Sequence, residues 1–317
     1  MTPRDAMIAA LRGERPDALV PHVELEFQLT DELYGPENQA LRDGNLQDVT
    51  GAARQDKLKR NAEMWVDVAK RFKLNCITGL HWLNAEDQCR SFEYIREISG
   101  DTYMLSAFAD GTFSIPNGNS MVEHVVWLTE KTDEALAQAQ AQTDGAIATS
   151  KMLIEAGAEV IFMCADYCFN DGPFLSPPMF AKFVTPYLKQ LVDGIHEVGG
   201  YACKHTDGEI MPILDQMVST GIDALHSLDP MAGVDIAEVR QLYPSLCLIG
   251  NVNCALVQAG TAEQVRESAS YCLEHGGVNH GAYVYATSNC IFKGVPLENY
   301  ETMLAVREEL GYPGAGA

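Results

Sequence analysis

Residues 201–230 read YACKHTDGEIMPILDQMVSTGIDALHSLDP, and they carry the clearest secondary-structure signal in the chain. A short apolar run at 201–204 precedes a polar turn. The apolar residues of 211–220 then recur at helical spacing, and a second apolar run follows at 222–225. A strand, a helix and a second strand in close succession predict two parallel strands joined by a helical crossover.

The same unit repeats on both sides of this stretch. Upstream, 158–163 (AEVIFM) is predicted as a buried strand. Ser176 then caps a helix with Pro177 at its first position, Pro186 should kink this helix, and Gly199-Gly200 should end it. The remaining units of the second half are predicted as strand and helix at 222–225 with 234–242, 246–249 with 262–274, and 282–286 with 297–310.

The first half is less regular. Its predicted elements are a strand at 19–27, a helix at 56–72, a strand at 74–78, a β-rich stretch at 101–126 and a helix at 133–157. About eight βα units in a chain of this length predict an α/β fold, a single (β/α)8 TIM barrel over residues 1–317 with an N-terminal helical segment. A doubly wound open sheet is the alternative, although the absence of G-x-G-x-x-G disfavours a dinucleotide site.

Charge and cysteine usage restrict the classes of partner. The formal net charge of −22 disfavours binding to nucleic acid or to an anionic membrane surface, while a small anionic substrate stays compatible. The start of the chain lacks the apolar core of a signal peptide, and no apolar run approaches a membrane span. Nine scattered cysteines, an odd number, favour the reducing cytoplasm over a disulfide framework.

Polar residues follow each predicted strand of the second half. In a parallel barrel these positions meet at one edge, where active sites are built. We therefore expect the side chains to converge on a site. The residues in question are Asp166, His205 with Asp207, His226, Asn251 and Cys290.

His205 is the strongest candidate, because imidazole serves as a metal ligand or as a proton carrier near neutral pH. Asp207 is predicted to bind a metal, to orient His205 or to act as a general acid; the alternative is a helix cap before Gly208. Cys290 offers a thiolate, a ligand suited to zinc. Asp166 ends an apolar strand, so we expect it to act in catalysis and bind substrate or to pair with Lys204 or an arginine.

Four further residues are predicted to bind substrate. Glu26 shares one face of the first strand with His22 and Glu24, since side chains alternate along a strand. His81 follows the strand at 74–78. His226 and Asn251 follow the strands at 222–225 and 246–249.

With these residues in view, the chain resembles the uroporphyrinogen decarboxylase superfamily, which includes zinc-dependent corrinoid methyltransferases. The resemblance covers nearly the whole chain. It lies in TPRDAMIAALRGERPD (2–17), GPFLSPPMFAKFVTPYLKQL (172–191), GYACKHTDGEIMPILDQMVSTGIDALHSLDP (200–230), GNVN (250–253) and GVPLENYETML (294–304), in family order. The methyltransferase branch carries zinc on a His-x-Cys pair and a later Cys. Here His205 matches the His, Asp207 stands at the Cys position, and Cys290 lies at or near the later Cys.

The resemblance implies methyl transfer between a small methylated substrate or thiol and a corrinoid, with zinc on His205, Asp207 and Cys290. The chain has no D-x-H-x-x-G corrinoid signature, so the corrinoid is expected on a separate protein or free. The decarboxylase branch has an arginine-rich N-terminal signature, whereas PHVELEFQLTDELYG (21–35) is acidic here. Porphyrinogen decarboxylation is therefore not expected.

Two other functions stay open. One is a metal-independent decarboxylase or lyase of a small aromatic or heterocyclic acid, in which Asp166 or Asp207 stabilises a developing cation and His205 delivers a proton. The other is a non-enzymatic binding barrel within a methyltransferase complex. A homodimer is compatible with all three functions.

Overall fold

The computed structural model describes residues 1–277 and 282–313, in which strands and helices alternate. The helices of these ranges are α1 Pro3–Leu11, α2 Thr30–Tyr34, α3 Gly51–Arg71, α4 Ala85–Ser99, α5 Met121–Glu130, α6 Thr132–Glu155, α7 Pro177–Phe183, α8 Thr185–His196, α9 Leu214–Ser219, α10 Ile236–Leu242, α11 Cys254–Ala259, α12 Ala262–Gly276 and α13 Leu297–Leu310. The strands are β1 Cys76–Ile77, β2 Met104–Phe108, β3 Val160–Met163, β4 Cys168–Phe169, β5 Gly172–Pro173, β6 Tyr201–His205, β7 Ala224–Ser227, β8 Cys247–Gly250 and β9 Tyr283–Val284.

Seven of these strands form one parallel sheet in the order β1-β2-β3-β6-β7-β8-β9, and β4 and β5 form a short antiparallel pair. The sheet strands are almost wholly buried, as expected when helices cover a parallel sheet. The pairing places His205 of β6 opposite His226 of β7. The predicted alternation of parallel strands and crossover helices is confirmed.

The predicted first strand, 19–27, is present only as isolated bridges. His22 bridges Tyr285 and Phe27 bridges Ile291, both in parallel orientation. Val23 donates its N–H to the Tyr285 carbonyl at 3.1 Å, and Asn75 donates to the His22 carbonyl at 2.7 Å. The segment therefore contacts both outer strands of the sheet, β9 on one side and the start of β1 on the other. Pro21 has no N–H to donate, so the ladder does not extend before His22.

The prediction of a β-rich stretch at 101–126 is wrong beyond Phe108. After β2 the chain forms a loop, a 3-10 turn at Gly118–Ser120 and then α5. Gly111 and Pro116 interrupt the strand pattern, and the apolar residues of α5 recur at helical rather than alternating spacing.

The helix predicted from Ser176 is divided in two, because α7 ends at Phe183 and α8 begins at Thr185. Pro186 lies in the first turn of α8, where its missing N–H costs nothing, so the predicted interruption is confirmed. Ser176 precedes α7 as predicted, but its side chain makes no capping hydrogen bond. The nine cysteines are free. Within 1–277 and 282–313, none of the helices combines the length and apolar character that crossing a membrane requires.

Candidate functional site

The C-terminal ends of β3 and β6 bring three predicted site residues together. Asp166 follows β3, His205 ends β6, and Asp207 comes two residues later. One ligand atom from each of the three lies within 4.8 Å of the others. His205 Nε2 is 3.8 Å from Asp166 Oδ1 and 3.9 Å from Asp207 Oδ1. We refer to these three residues as the acid–imidazole group.

Asp207 is held by two side chains from neighbouring strand ends. Ser227 donates its hydroxyl to Asp207 Oδ1 at 2.7 Å, and Asn289 donates its amide N–H to Oδ2 at 2.5 Å. Burial raises the pKa of Asp207 to about 7, and the charges of Asp166 and Asp229 add to this effect. The side chain is thus engaged at the sheet edge, which disfavours the helix-cap alternative.

Gly208 makes the turn after Asp207 possible. Its φ is +85°, and a Cβ there would lie 2.6 Å from the Phe169 carbonyl oxygen. Only glycine fits both requirements without strain. The Gly208 N–H donates to Asp229 Oδ2 at 3.3 Å, which fixes the direction in which the chain leaves the site.

His205 is 4% exposed and pairs with a second histidine. Its Nδ1 is 2.7 Å from Nδ1 of His226, which is fully buried. Burial lowers the pKa of His205 well below its usual value and lowers the pKa of His226 to about 3, so both rings are neutral near pH 7. His226, predicted to bind substrate, therefore lies against His205, and its substrate role stays a prediction.

Asp166 is half-exposed and more loosely held. Its Oδ1 accepts from the Asp207 N–H at 3.4 Å. Partial burial raises the pKa of Asp166, and the neighbouring Asp110 acts in the same direction. Two acidic side chains with raised pKa values beside one imidazole form a place where a bound cation would be stabilising.

The predicted pairing of Asp166 with Lys204 is not what the structure shows. Lys204 Nζ is fully buried and donates to Asp110 Oδ2 at 2.9 Å and to the carbonyls of Met163 at 3.1 Å and Ala165 at 2.8 Å. Asp110 Oδ2 also accepts from the Ala165 N–H at 2.9 Å. Through these hydrogen bonds, Lys204 connects the loop after β2 to the loop that carries Asp166.

Two of the predicted substrate-binding residues contact each other. Glu26 Oε1 is 3.2 Å from His81 Nε2, and the His81 ring stacks on Phe108 with centroids 4.2 Å apart. Phe108 also lines a cleft of about 900 Å³ between the loop after β2 and helices α5 and α6. Ile115 of that loop donates its N–H to the Asp166 carbonyl at 2.8 Å, so the loop that lines the cleft also contacts the backbone of Asp166.

Neither Asn251 nor Cys290 belongs to the acid–imidazole group. The Asn251 amide donates to the Leu228 carbonyl at 2.8 Å and its oxygen accepts from the Cys272 thiol at 3.2 Å, so substrate binding by Asn251 stays a prediction. Cys290 is buried, and burial raises its thiol pKa. Among the described residues its sulfur is outside the 4.8 Å group, so its role as a zinc ligand also stays a prediction.

The acid–imidazole group fits a zinc ion in the chemistry of its donors. Zinc accepts imidazole nitrogen and carboxylate oxygen, and three protein ligands with one open position are typical of catalytic zinc. His205 Nε2 makes no hydrogen bond within the described part of the chain, although the residue is almost wholly buried. A ligand atom that has no hydrogen-bond partner and lies 3.8 Å and 3.9 Å from two carboxylate oxygens is consistent with a cation site.

Sequence reasoning missed Ser227, Asn289 and Asp110 as parts of the site. Ser227 and Asn289 do follow predicted strands, and a search for hydrogen-bond donors at strand ends would have found them. Asp110 lay in the stretch predicted as β-rich, so its place beside Lys204 had no signal in the local pattern.

Comparisons with known proteins agree on one family and one fold. Residues 89–310 match the family described as uroporphyrinogen decarboxylase (URO-D). Methylcobamide:CoM methyltransferase MtaA of Methanosarcina barkeri is 28% identical over 222 residues, which cover 69% of this chain and 62% of that protein. Methylcobamide:CoM methyltransferase MtbA of Methanosarcina acetivorans is 29% identical over 138 residues, which cover 42% of this chain and 38% of that protein.

Among solved structures, one described as a methyltransferase from Methanosarcina mazei superposes with a TM-score of 0.73. The superposition covers 98% of this chain and 99% of the methyltransferase chain, at 19% sequence identity. At this level of identity the similarity concerns the fold. The matched region spans about 62% of the length of MtaA.

Proposed function

Because the chain belongs to the uroporphyrinogen decarboxylase family, we propose that it is a methyltransferase that moves a methyl group between a small methylated substrate or thiol and a corrinoid, assisted by zinc. The similarity to MtaA and MtbA supports the corrinoid part of this proposal. The observation that carries it is the acid–imidazole group at the C-terminal edge of the sheet. The corrinoid arrives on a separate protein or free.

His205 and Asp207 hold the zinc in this proposal. The resemblance to the methyltransferase branch implies Cys290 as the third protein ligand, whereas the geometry favours Asp166, whose Oδ1 is 3.8 Å from His205 Nε2. When bound, zinc acts as a Lewis acid that lowers the pKa of a substrate thiol or polarises an ether oxygen. Ser227 and Asn289 keep the Asp207 carboxylate directed at the ion.

In this proposal the substrate binds in the cleft that Phe108 lines. Glu26 and His81, whose ring stacks on Phe108, contact the substrate in this proposal. In transfer to a thiol, the thiolate sulfur attacks the methyl carbon by direct displacement. The carbon–cobalt bond breaks, its electron pair stays on cobalt, and a methyl thioether forms.

Elemental analysis and a transfer assay test the proposal together. We expect near-stoichiometric zinc in the purified protein, and conversion of methylcobalamin in the presence of CoM or another small thiol. His205→Ala should lose both. Asp166→Asn and Cys290→Ser identify the third ligand, because only the true ligand's variant should lose zinc. Asp171→Asn, an exposed loop acid, is the matched control and should retain zinc. Protein isolated without zinc that also fails to bind added zinc would contradict the proposal.

A metal-independent decarboxylase or lyase is the second candidate. The observation that favours it is the position of Asp207, which lies 3.9 Å from His205 Nε2 and accepts hydrogen bonds from two neutral donors, Ser227 and Asn289. Burial raises the pKa of Asp207 to about 7, so this carboxyl can exchange a proton near neutrality. Asp166 would then stabilise a developing cation. Activity on a small aromatic acid that survives exhaustive chelation would support this function, and activity restored by zinc would eliminate it.

The organisation of the whole chain completes the proposal. We propose one domain over residues 1–317, in which 20–27 supplies the eighth position of a closed barrel between β9 and β1. The protein works in the cytoplasm, where its nine cysteines stay reduced. It forms a homodimer, which sedimentation velocity at several concentrations would detect or exclude.

A further inference from the structure

The two buried histidines of the site are neighbours in the sheet. His205 and His226 pair in register on β6 and β7, so their side chains leave the sheet on the same face. Their Nδ1 atoms are 2.7 Å apart. His205 is 4% exposed and His226 is 0% exposed. This distance is that of a hydrogen bond between two ring nitrogens.

Such a bond needs one N–H and one bare nitrogen, so the two Nδ1 atoms share a single proton. If His226 donates, the proton of neutral His205 lies on Nε2, where the carboxylate oxygens are 3.8 Å and 3.9 Å away and beyond hydrogen-bond reach. A proton on Nε2 would also occupy the lone pair through which His205 could bind a cation. If His205 donates, its Nε2 is bare and faces the two carboxylates.

A bound cation favours the second arrangement. The proton of His226 is then on Nε2, which is buried and has no hydrogen-bond partner among the described residues. A cation at the acid–imidazole group requires a bare Nε2 on His205, and the Nδ1 proton of His205 has its acceptor in His226.

We infer that His226 is a positioning residue, which accepts the Nδ1 proton of His205 and so directs the bare Nε2 of His205 at Asp166 and Asp207. The inference rests on the proposed function insofar as that function places an ion at this group. Partners of a ligating histidine's second nitrogen fix its tautomer and raise its basicity, and their loss typically weakens metal binding by about 10–100-fold.

Two variants of His226 distinguish its role as a hydrogen-bond acceptor from a role in packing alone. His226→Phe keeps an aromatic ring but removes the acceptor. His226→Asn is smaller, but it can place an oxygen acceptor near the Nδ1 position. We expect zinc affinity, measured by competition with a chromophoric chelator, to fall about 10–100-fold in the Phe variant and to stay within about threefold in the Asn variant. Equal affinities in the wild type and His226→Phe, or equal losses in both variants, would overturn the inference.

Imidazole ¹⁵N chemical shifts of the wild type, assigned by means of the His205→Ala variant, read the tautomer without any variant of His226. We expect His205 protonated on Nδ1 in both ion-free and zinc-loaded protein. A proton on Nε2 of His205 would overturn the inference even if zinc binds. If the wild type binds no zinc, the proposed function fails, and the ion-free spectrum still decides for or against the role of His226.

Discussion

At the scale of single residues, the ionisable groups of the site are buried or half-buried. Their charges are balanced by neighbouring groups to different degrees. Lys204 has three oxygen acceptors around its ammonium group. Asp207 has two neutral donors, Ser227 and Asn289, but no cation among the described residues. The buried lysine is therefore satisfied within the protein, whereas the charged form of Asp207 is not.

Asp207 should make the stability of the ion-free protein depend on pH. Its pKa is raised from 3.8 to about 7, so its favourable contribution is complete below pH 3.8 and is lost as the pH rises through about 7. The Asp207 side chain is 31% exposed, so solvent screening reduces the effect. We expect the free energy of unfolding of Asp207→Asn to increase by about 1–3 kcal/mol, relative to that of the wild type, between about pH 4 and pH 8. Urea denaturation with chelator present measures this difference, and a difference that does not change with pH would contradict the assignment.

Lys204→Met should destabilise the protein strongly, since it leaves the buried Asp110 carboxylate without its cation. We expect a loss of about 3–5 kcal/mol in the free energy of unfolding, and partial recovery in the double variant with Asp110→Asn. Lys131→Met is the control, because Lys131 and Glu134 form an exposed pair. Its effect should stay within about 0.5 kcal/mol. Similar effects at the two lysines in urea denaturation would argue against the pairing described.

At the scale of elements, the strands present the site while the loops after them complete it. β6 and β7 place His205 and His226 in register. The loop after β2 reaches the same edge through Asp110 and rests on α6 behind it. Gly111 packs closely against α6, because a Cβ at this position would lie 2.4 Å from the Gln142 carbonyl oxygen.

Gly111→Ala should push the loop after β2 away from α6. The added methyl group meets backbone, which cannot rotate aside, so we expect a loss of about 1–3 kcal/mol in stability and weaker zinc binding. Gly118→Ala is the matched control, because nothing lies within 4 Å of a Cβ at that position. Thermal unfolding measures the stability of both variants, and chelator competition measures their zinc affinity. Equal stability and equal zinc affinity in the two variants would show that the contact between Gly111 and α6 does not hold the loop in place.

At the scale of the whole molecule, the segment at 22–24 meets the residues that follow β9 through buried polar contacts. Glu24 is 1% exposed, and its Oε2 accepts from the Thr287 hydroxyl at 2.6 Å and from the Thr287 N–H at 3.2 Å. Its Oε1 is 3.1 Å from His22 Nε2. Because the backbone ladder is interrupted at 22–27, these side chains join the first segment to the strand that ends the sheet.

Thr287→Val should weaken this join without changing the volume of the core. The buried Glu24 carboxylate loses one donor, so we expect the free energy of unfolding to fall by about 1–3 kcal/mol. Thr129→Val on the exposed side of α5 is the control and should change stability by less than about 0.5 kcal/mol. Urea denaturation compares the two, and an equally small change at Thr287 would mean that Glu24 contributes little to the join.

Local patterns in the chain were enough for the second half of the fold and for the position of the site. Strand and helix periodicity from residue 158 onward predicted the parallel sheet, because each unit buries its own apolar residues. Parallel strands bring their carboxyl ends to one edge, so Asp166, His205 and Asp207 could be expected together. Their convergence within 4.8 Å agrees with that expectation.

Which partner each of these side chains takes could not be read from local patterns. Lys204 pairs with Asp110, Asp207 with Ser227 and Asn289, and His205 with His226. These contacts join residues between 20 and 94 positions apart in the chain. They depend on strand register, on loop paths such as the one misread at 101–126, and on the rotamers that remain once the core is packed. Such properties arise from packing between elements, and no periodicity within one element encodes them.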